Sequence, residues 1–123
     1  MRKILSILFL VSVCSIARSQ NLAFSQVLTY TGELPNAVNT PGPIYTVPSG
    51  KVWKIESLNS TVNQSLGFKL NNTFFPVTPN TYSTPMIFPI WLKEGDTLQP
   101  FVVGASPPTM YGYFISIVEF STN

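Results

Sequence analysis

From Gln20 to the C-terminus, prolines and glycines return too often for a helix of ordinary length. All eleven prolines and all seven glycines of the 123 residues lie in this stretch. Proline removes a backbone donor and clashes with the preceding turn, and glycine loses the most backbone entropy on ordering. β-branched and aromatic residues fill the gaps, with no apolar repeat near 3.6. Short alternating runs bounded by turn residues predict consecutive strands, hence an all-β sandwich or barrel.

The runs can be placed one by one. Leu22 to Thr31 alternates, which sets Leu22, Phe24, Leu28 and Tyr30 on one face. Pro41-Gly42-Pro43 reads as a loop, Ile44 to Val47 as a short strand and Pro48-Ser49-Gly50 as a turn. Lys51 to Leu58 carries Trp53 and Ile55 on one side. Asn59 to Gln64 reads as a polar loop, and Leu66, Phe68 and Leu70 alternate after it. Asn71-Asn72 predicts a two-residue hairpin turn, because asparagine tolerates the left-handed region, and Thr73 to Val77 returns from it. Thr78 to Thr84 is a second polar loop. Pro85 to Leu92 is apolar on both faces, and Pro89 marks it as an edge or bulged strand. The turn Lys93 to Asp96 leads into Thr97 to Val103, and Gly104 to Thr109 is a loop. Met110 to Phe120 places Phe114, Val118 and Phe120 on one face and Tyr111, Tyr113, Ile115 and Ile117 on the other; two apolar faces predict a central strand. About eight strands in one domain predict an antiparallel, jelly-roll-like β-sandwich, without the cysteine and tryptophan signature of immunoglobulin domains.

The first nineteen residues are of a different kind. Arg2 and Lys3 precede an apolar, serine-interrupted run from Ile4 to Ala17, and Ala17-Arg18-Ser19 has the small residues of a cleavage site. This pattern predicts a secretory signal peptide over 1–19, cut before Gln20, and a single domain over 20–123. The run falls short of the roughly 20 apolar residues that span a bilayer, so no stable membrane span is expected after cleavage. Cys14 follows the bulky Val13 rather than a small residue, against the pattern of a lipidated cysteine. The expected location is extracytoplasmic: periplasm, cell surface or medium.

Cleavage changes the chemistry of the chain. It removes Arg2, Lys3, Arg18 and the single cysteine, leaving four lysines against five acids, a net charge of −1. Without arginine or clustered lysines, nucleic acid is not an expected partner. The chain has no histidine, so Ser-His-Asp, Cys-His and histidine-metal arrangements are excluded, and no mature cysteine offers a thiolate. No glycine-rich phosphate loop occurs. Glu94 and Asp96 flank a turn glycine and read as solvated, while Glu56 and Glu119 lie in strands, where either offers one half of a carboxylate pair. No catalytic residues, metal site or cofactor are expected.

Two segments carry a resemblance. Tyr45 to Ile55 (YTVPSGKVWKI) and Pro89 to Leu98 (PIWLKEGDTL) resemble hairpins of small secreted jelly-roll-like β-sandwich proteins of the Bacteroidetes type. The Gly95-Asp96 turn is similar to one in C1q/TNF-like jelly rolls and cupins, whose metal-binding histidines have no counterpart here. The resemblance implies a fold and an exported address, but no activity.

Function is therefore expected from surfaces. The leading expectation is a surface, matrix or assembly component working through protein contacts. The second is a carbohydrate-binding module, with Trp91 as a flat surface for a sugar ring, Tyr82 or Tyr113 assisting, and Trp53 as a further ring. The more usual place for both tryptophans, and above all for Trp53 with its clearer alternation, is the core, and a second sheet packed on the Tyr111/Tyr113 face is the more usual arrangement there. The third is an oligomeric structural subunit that pairs through the apolar Pro85 to Leu92 segment. N-terminal sequencing of the exported protein is expected to begin at Gln20; an intact Met1 would refute the cleavage reading.

Overall fold

The computed structural model describes residues 21–35, 37–60, 66–76, 87–104 and 110–122. The expected signal peptide, Tyr82 with residues 77–86, residues 61–65 of the first expected polar loop, and residues 105–109 lie outside the described residues. The described chain forms nine strands and no helix: β1 (Leu22–Pro35), β2 (Thr40–Pro41), β3 (Tyr45–Thr46), β4 (Lys51–Ser60), β5 (Leu66–Leu70), β6 (Thr73–Pro76), β7 (Ile90–Lys93), β8 (Thr97–Val102) and β9 (Met110–Thr122).

The strands form two antiparallel sheets, in the orders β1-β9-β4-β7 and β2-β8-β5-β6, with β3 also on β8. Since β2 and β3 pair with the same strand, they act as one strand interrupted at residues 42–44, and the count returns to eight. The first of these eight pairs with the last, the second with the seventh, the third with the sixth and the fourth with the fifth. This is a folded-over long hairpin, the jelly-roll arrangement.

The interruption has a chemical cause. Pro100 lies in β8 and has no N–H to give. Its carbonyl accepts from Gly42 N at 2.8 Å, and the Gln99 amide donates to Gly42 O at 2.8 Å. N–H and C=O of one residue point to the same side of an antiparallel strand, so the missing donor of Pro100 faces the break. Gly42 allows the approach: a Cβ there would stand 2.6 Å from Pro100 Cγ. At Gly67 in β5, an added Cβ would collide with the Phe74 ring and the Phe75 carbonyl.

Several sequence expectations need correction. A bulge between Phe24 and Gln26 adds one residue to β1. It turns Leu22 and Phe24 to the outside, while Leu28 and Tyr30 pack on the core, so the four do not share a face. Asn59 and Ser60 continue β4 instead of opening a loop, and Pro41 is strand rather than loop. Other expectations match. β9 is central between β1 and β4, and β7 is an edge, although it spans only Ile90–Lys93, with Pro89 before the strand rather than within it and Lys93 in the strand rather than the turn. Asn71 and Asn72 turn the β5–β6 hairpin at φ 47° and 69°.

The core lies between the sheets, with Trp53, Ile55, Ile115 and Ile117 on one side and Leu66, Phe68, Leu98 and Val102 on the other. Gly42→Ala and Gly67→Ala should each cost about 1–3 kcal/mol, the usual penalty for overpacking a filled site. Urea unfolding midpoints measure this, and an unchanged midpoint in either variant would refute the packing.

Candidate functional site

One end of the sandwich holds a polar cluster that the sequence did not single out as a unit. Glu119 is only 3% exposed. Its neighbours across the sheet are Trp53 on β4 and Gln26 on β1. Trp53 Nε1 donates to Oε2 at 2.8 Å, and Gln26 Nε2 and Ser25 Oγ donate to Oε1 at 2.9 and 3.3 Å. Lys51 Nζ stands 3.8 Å from the same carboxylate and donates to Ser25 Oγ and Ser121 Oγ. Ser25 is the extra residue of the β1 bulge, and the bulge aims its hydroxyl at the cluster.

The cluster superficially fits hydrolytic chemistry, since Lys51 Nζ is 3.2 Å from Ser25 Oγ. A serine–lysine mechanism needs a neutral amine, whereas this one forms an ion pair with Glu119. Both carboxylate oxygens are already bonded to donors. Burial raises the Glu119 pKa, but the bonds from Trp53, Gln26 and Ser25, with the Lys51 charge, outweigh it and hold the group below its ordinary 4.5. The arrangement ties three strands together; it does not poise a base.

The neighbouring turns are joined in the same manner. Ser49 Oγ and Gly50 N donate to Glu94 at 2.9 and 3.0 Å. These bonds hold its pKa below 4.5, the Gly50 bond contributing most. Asp96 accepts from Lys93 N and Asn71 Nδ2, and Asn71 Oδ1 accepts from Thr97 N at 2.8 Å. Glu94 is exposed, as expected, and Asp96 is half-buried; from the surface the two acids connect three turns. The segments Tyr45 to Ile55 and Pro89 to Leu98 dock on each other here.

The sequence-predicted ligand residues separate sharply. Trp53 is 2% exposed and Tyr113 is buried with its hydroxyl 3.0 Å from that of Tyr45. Both belong to the core, Trp53 wholly and Tyr113 with only an edge at the surface. Tyr30 stacks on Tyr45 with centroids 4.1 Å apart, completing the aromatic contact between the sheets. Burial raises the pKa values of Tyr30 and Tyr45, and the negative charge of Glu119 adds to the effect at Tyr30. Trp91, by contrast, is 51% exposed, on the outer side of edge strand β7.

Trp91 does not stand alone. Its ring lies 5.7 Å from that of Phe120, reaching across β4. The register puts Phe120 beside Val52 and Phe24, and Lys54 between Trp91 and Val118, which neighbours Val27. Phe24 is 65% exposed and Val27 60%. Lys54 is paired with Glu56 at 2.6 Å, which leaves the surface between the rings electrically quiet. Each such side chain left in water forgoes about 1.5–3 kcal/mol of burial. Single exposed apolar residues are ordinary, but a contiguous group marks a contact surface.

Two other surfaces differ. On the outside of the second sheet, Lys69 Nζ lies 3.8 Å over the Phe101 ring, which Phe74 meets edge-on at 6.2 Å, so that group covers itself. At the far end of the first sheet's outer face, Asn59, Ser60, Gly112, Tyr113 and Phe114 line an open, mainly apolar depression of about 200 Å³. Among the described residues, no group of three or more His, Cys, Asp or Glu side chains is placed to hold a metal.

The site and fold together define a jelly-roll β-sandwich with one apolar outer face. Comparisons with family models, curated proteins and solved structures found no match for this chain.

The depressed pKa of Glu119 carries a sign. Its contribution to stability is complete above about pH 4.5 and is lost as pH falls through the lower native pKa. Glu119→Gln should lower the stability at pH 7 and flatten its decline in acid, leaving the part due to Glu94. Trp53→Phe should cost about 1.5–3 kcal/mol, the range for a hydrogen bond to a charged group. Chemical unfolding at stepped pH measures both, and a decline of unchanged steepness in Glu119→Gln would refute the role.

Proposed function

We propose that this chain is an exported, non-catalytic β-sandwich that acts as a surface, matrix or assembly component through protein contacts. The contact surface is the outer face of the β1-β9-β4-β7 sheet. The observation that carries this reading is the contiguous apolar group Trp91, Phe120, Val52, Val118, Phe24 and Val27 on one side of a rigid sheet. The engaged state of Glu119, Glu94 and Asp96 supports it, because these acids hold the sandwich together. The n-region, apolar run and small residues before Gln20 support export.

A second reading keeps Trp91 as a tile for a sugar ring, favoured by its half exposure and its support from Phe120. The surroundings favour protein. Sugar hydroxyls need hydrogen-bonding neighbours, and the neighbours of this ring pair are largely valine and phenylalanine.

In producing cells, Trp91→Ala and Val118→Lys should each release most of the protein from the cell-surface or particulate fraction into the medium, without lowering the melting temperature. The purified mature domain should turn over no member of a panel of chromogenic glycosides and esters. Unchanged retention of both variants, or turnover, would overturn the proposal. Trp91-dependent signals on a glycan array would transfer the face to the sugar reading.

A further inference from the structure

We infer that the outer face is extended by a second copy of this chain, paired antiparallel through β1 about a two-fold axis. This inference rests on the contact-face reading above and adds its partner and geometry.

The argument begins with the sheet edges. An unpaired edge is a template for another strand, and proteins guard edges with brevity, proline, lysine or cover. Three of the four ends are guarded: β7 has four residues, follows Pro89 and ends in Lys93; β6 has four and ends in Pro76; β2 has two. β1 carries its guards only near its ends: the bulge at Ser25, Glu33 and the terminal Pro35. It has fourteen residues, and among the described residues it pairs only with β9. No lysine or proline occurs from Leu22 to Leu34. Its one bulge lies near its start, and Gln26 to Pro35 then runs in unbroken register along β9. The nine regular residues from Gln26 to Leu34, between the bulge and Pro35, leave a straight edge for a partner strand.

Charge selects the partner and the direction. The only charged residue of β1 is Glu33, close to one end. A parallel copy would set the two Glu33 side chains together. An antiparallel copy, centred on Thr29, separates them and places each near the Phe24–Ser25 bulge of the other chain. A two-fold axis uses the same segment twice, so complementarity needs no second sequence. The mature net charge of −1 gives little repulsion between copies. Phe24 and Val27 lie on the edge strand beside the junction, so pairing joins the two apolar groups into one surface across a continuous eight-stranded sheet.

Sedimentation of the processed protein over a wide concentration range tests the inference. The expected result is a doubling of mass at high concentration, with amide protection rising along β1 and not along β7. Val27→Lys and Thr29→Lys change exposed side chains, and each should abolish the heavier species without altering melting. A monomer at every concentration would overturn the inference, as would a dimer that survives both substitutions or protects β7 instead. The retention assay with Trp91→Ala, remote from β1, is read separately, so the contact face can stand while self-pairing falls.

Discussion

The hydrogen bond from Trp53 to Glu119 is the interaction around which one end of this sandwich is organised. A carboxylate removed from water carries a heavy desolvation cost unless donors replace its hydration. Here β4 supplies Trp53 and Lys51, while β1 supplies Gln26 and Ser25. Satisfying that one group therefore fixes three strands against each other. It also explains the bulge in β1, which brings Ser25 within reach.

That bulge has consequences on the opposite face. The extra residue that directs Ser25 inward also turns Phe24 outward, beside Phe120. The polar cluster inside and the apolar surface outside are thus two results of one local insertion. Side-chain direction alternates along a strand, so a single added residue moves every earlier side chain to the other face. The turn bonds of Glu94, Asp96 and Asn71 hold the adjoining loops in the same region.

Legibility in the sequence followed the range of the forces involved. Asn71-Asn72, Pro89 and the alternation of β9 act within a few residues, and they read correctly as turn, edge and central strand. The break at residues 42–44 and the burial of Pro100 depend on a pairing between segments some sixty residues apart, and no local pattern announces them. Trp91 and Trp53 sit in similar apolar alternations, yet one is half exposed and the other enclosed. Glu119 was visible as a carboxylate in a strand, but its donors are far away along the chain.

The sequence by itself determined that the described residues are built of strands, about how many, and that no histidine is available to their chemistry. Proline, glycine and the period-two alternation act locally, so they survive translation into a list of letters. Tertiary structure alone decided which tryptophan meets solvent, which acids became structural, and which strands lie at the sheet edges among the described residues. Those outcomes depend on strand order and on one bulge. Both are set by contacts between distant segments, where the burial of a single charge outweighs the local preferences of the residues around it.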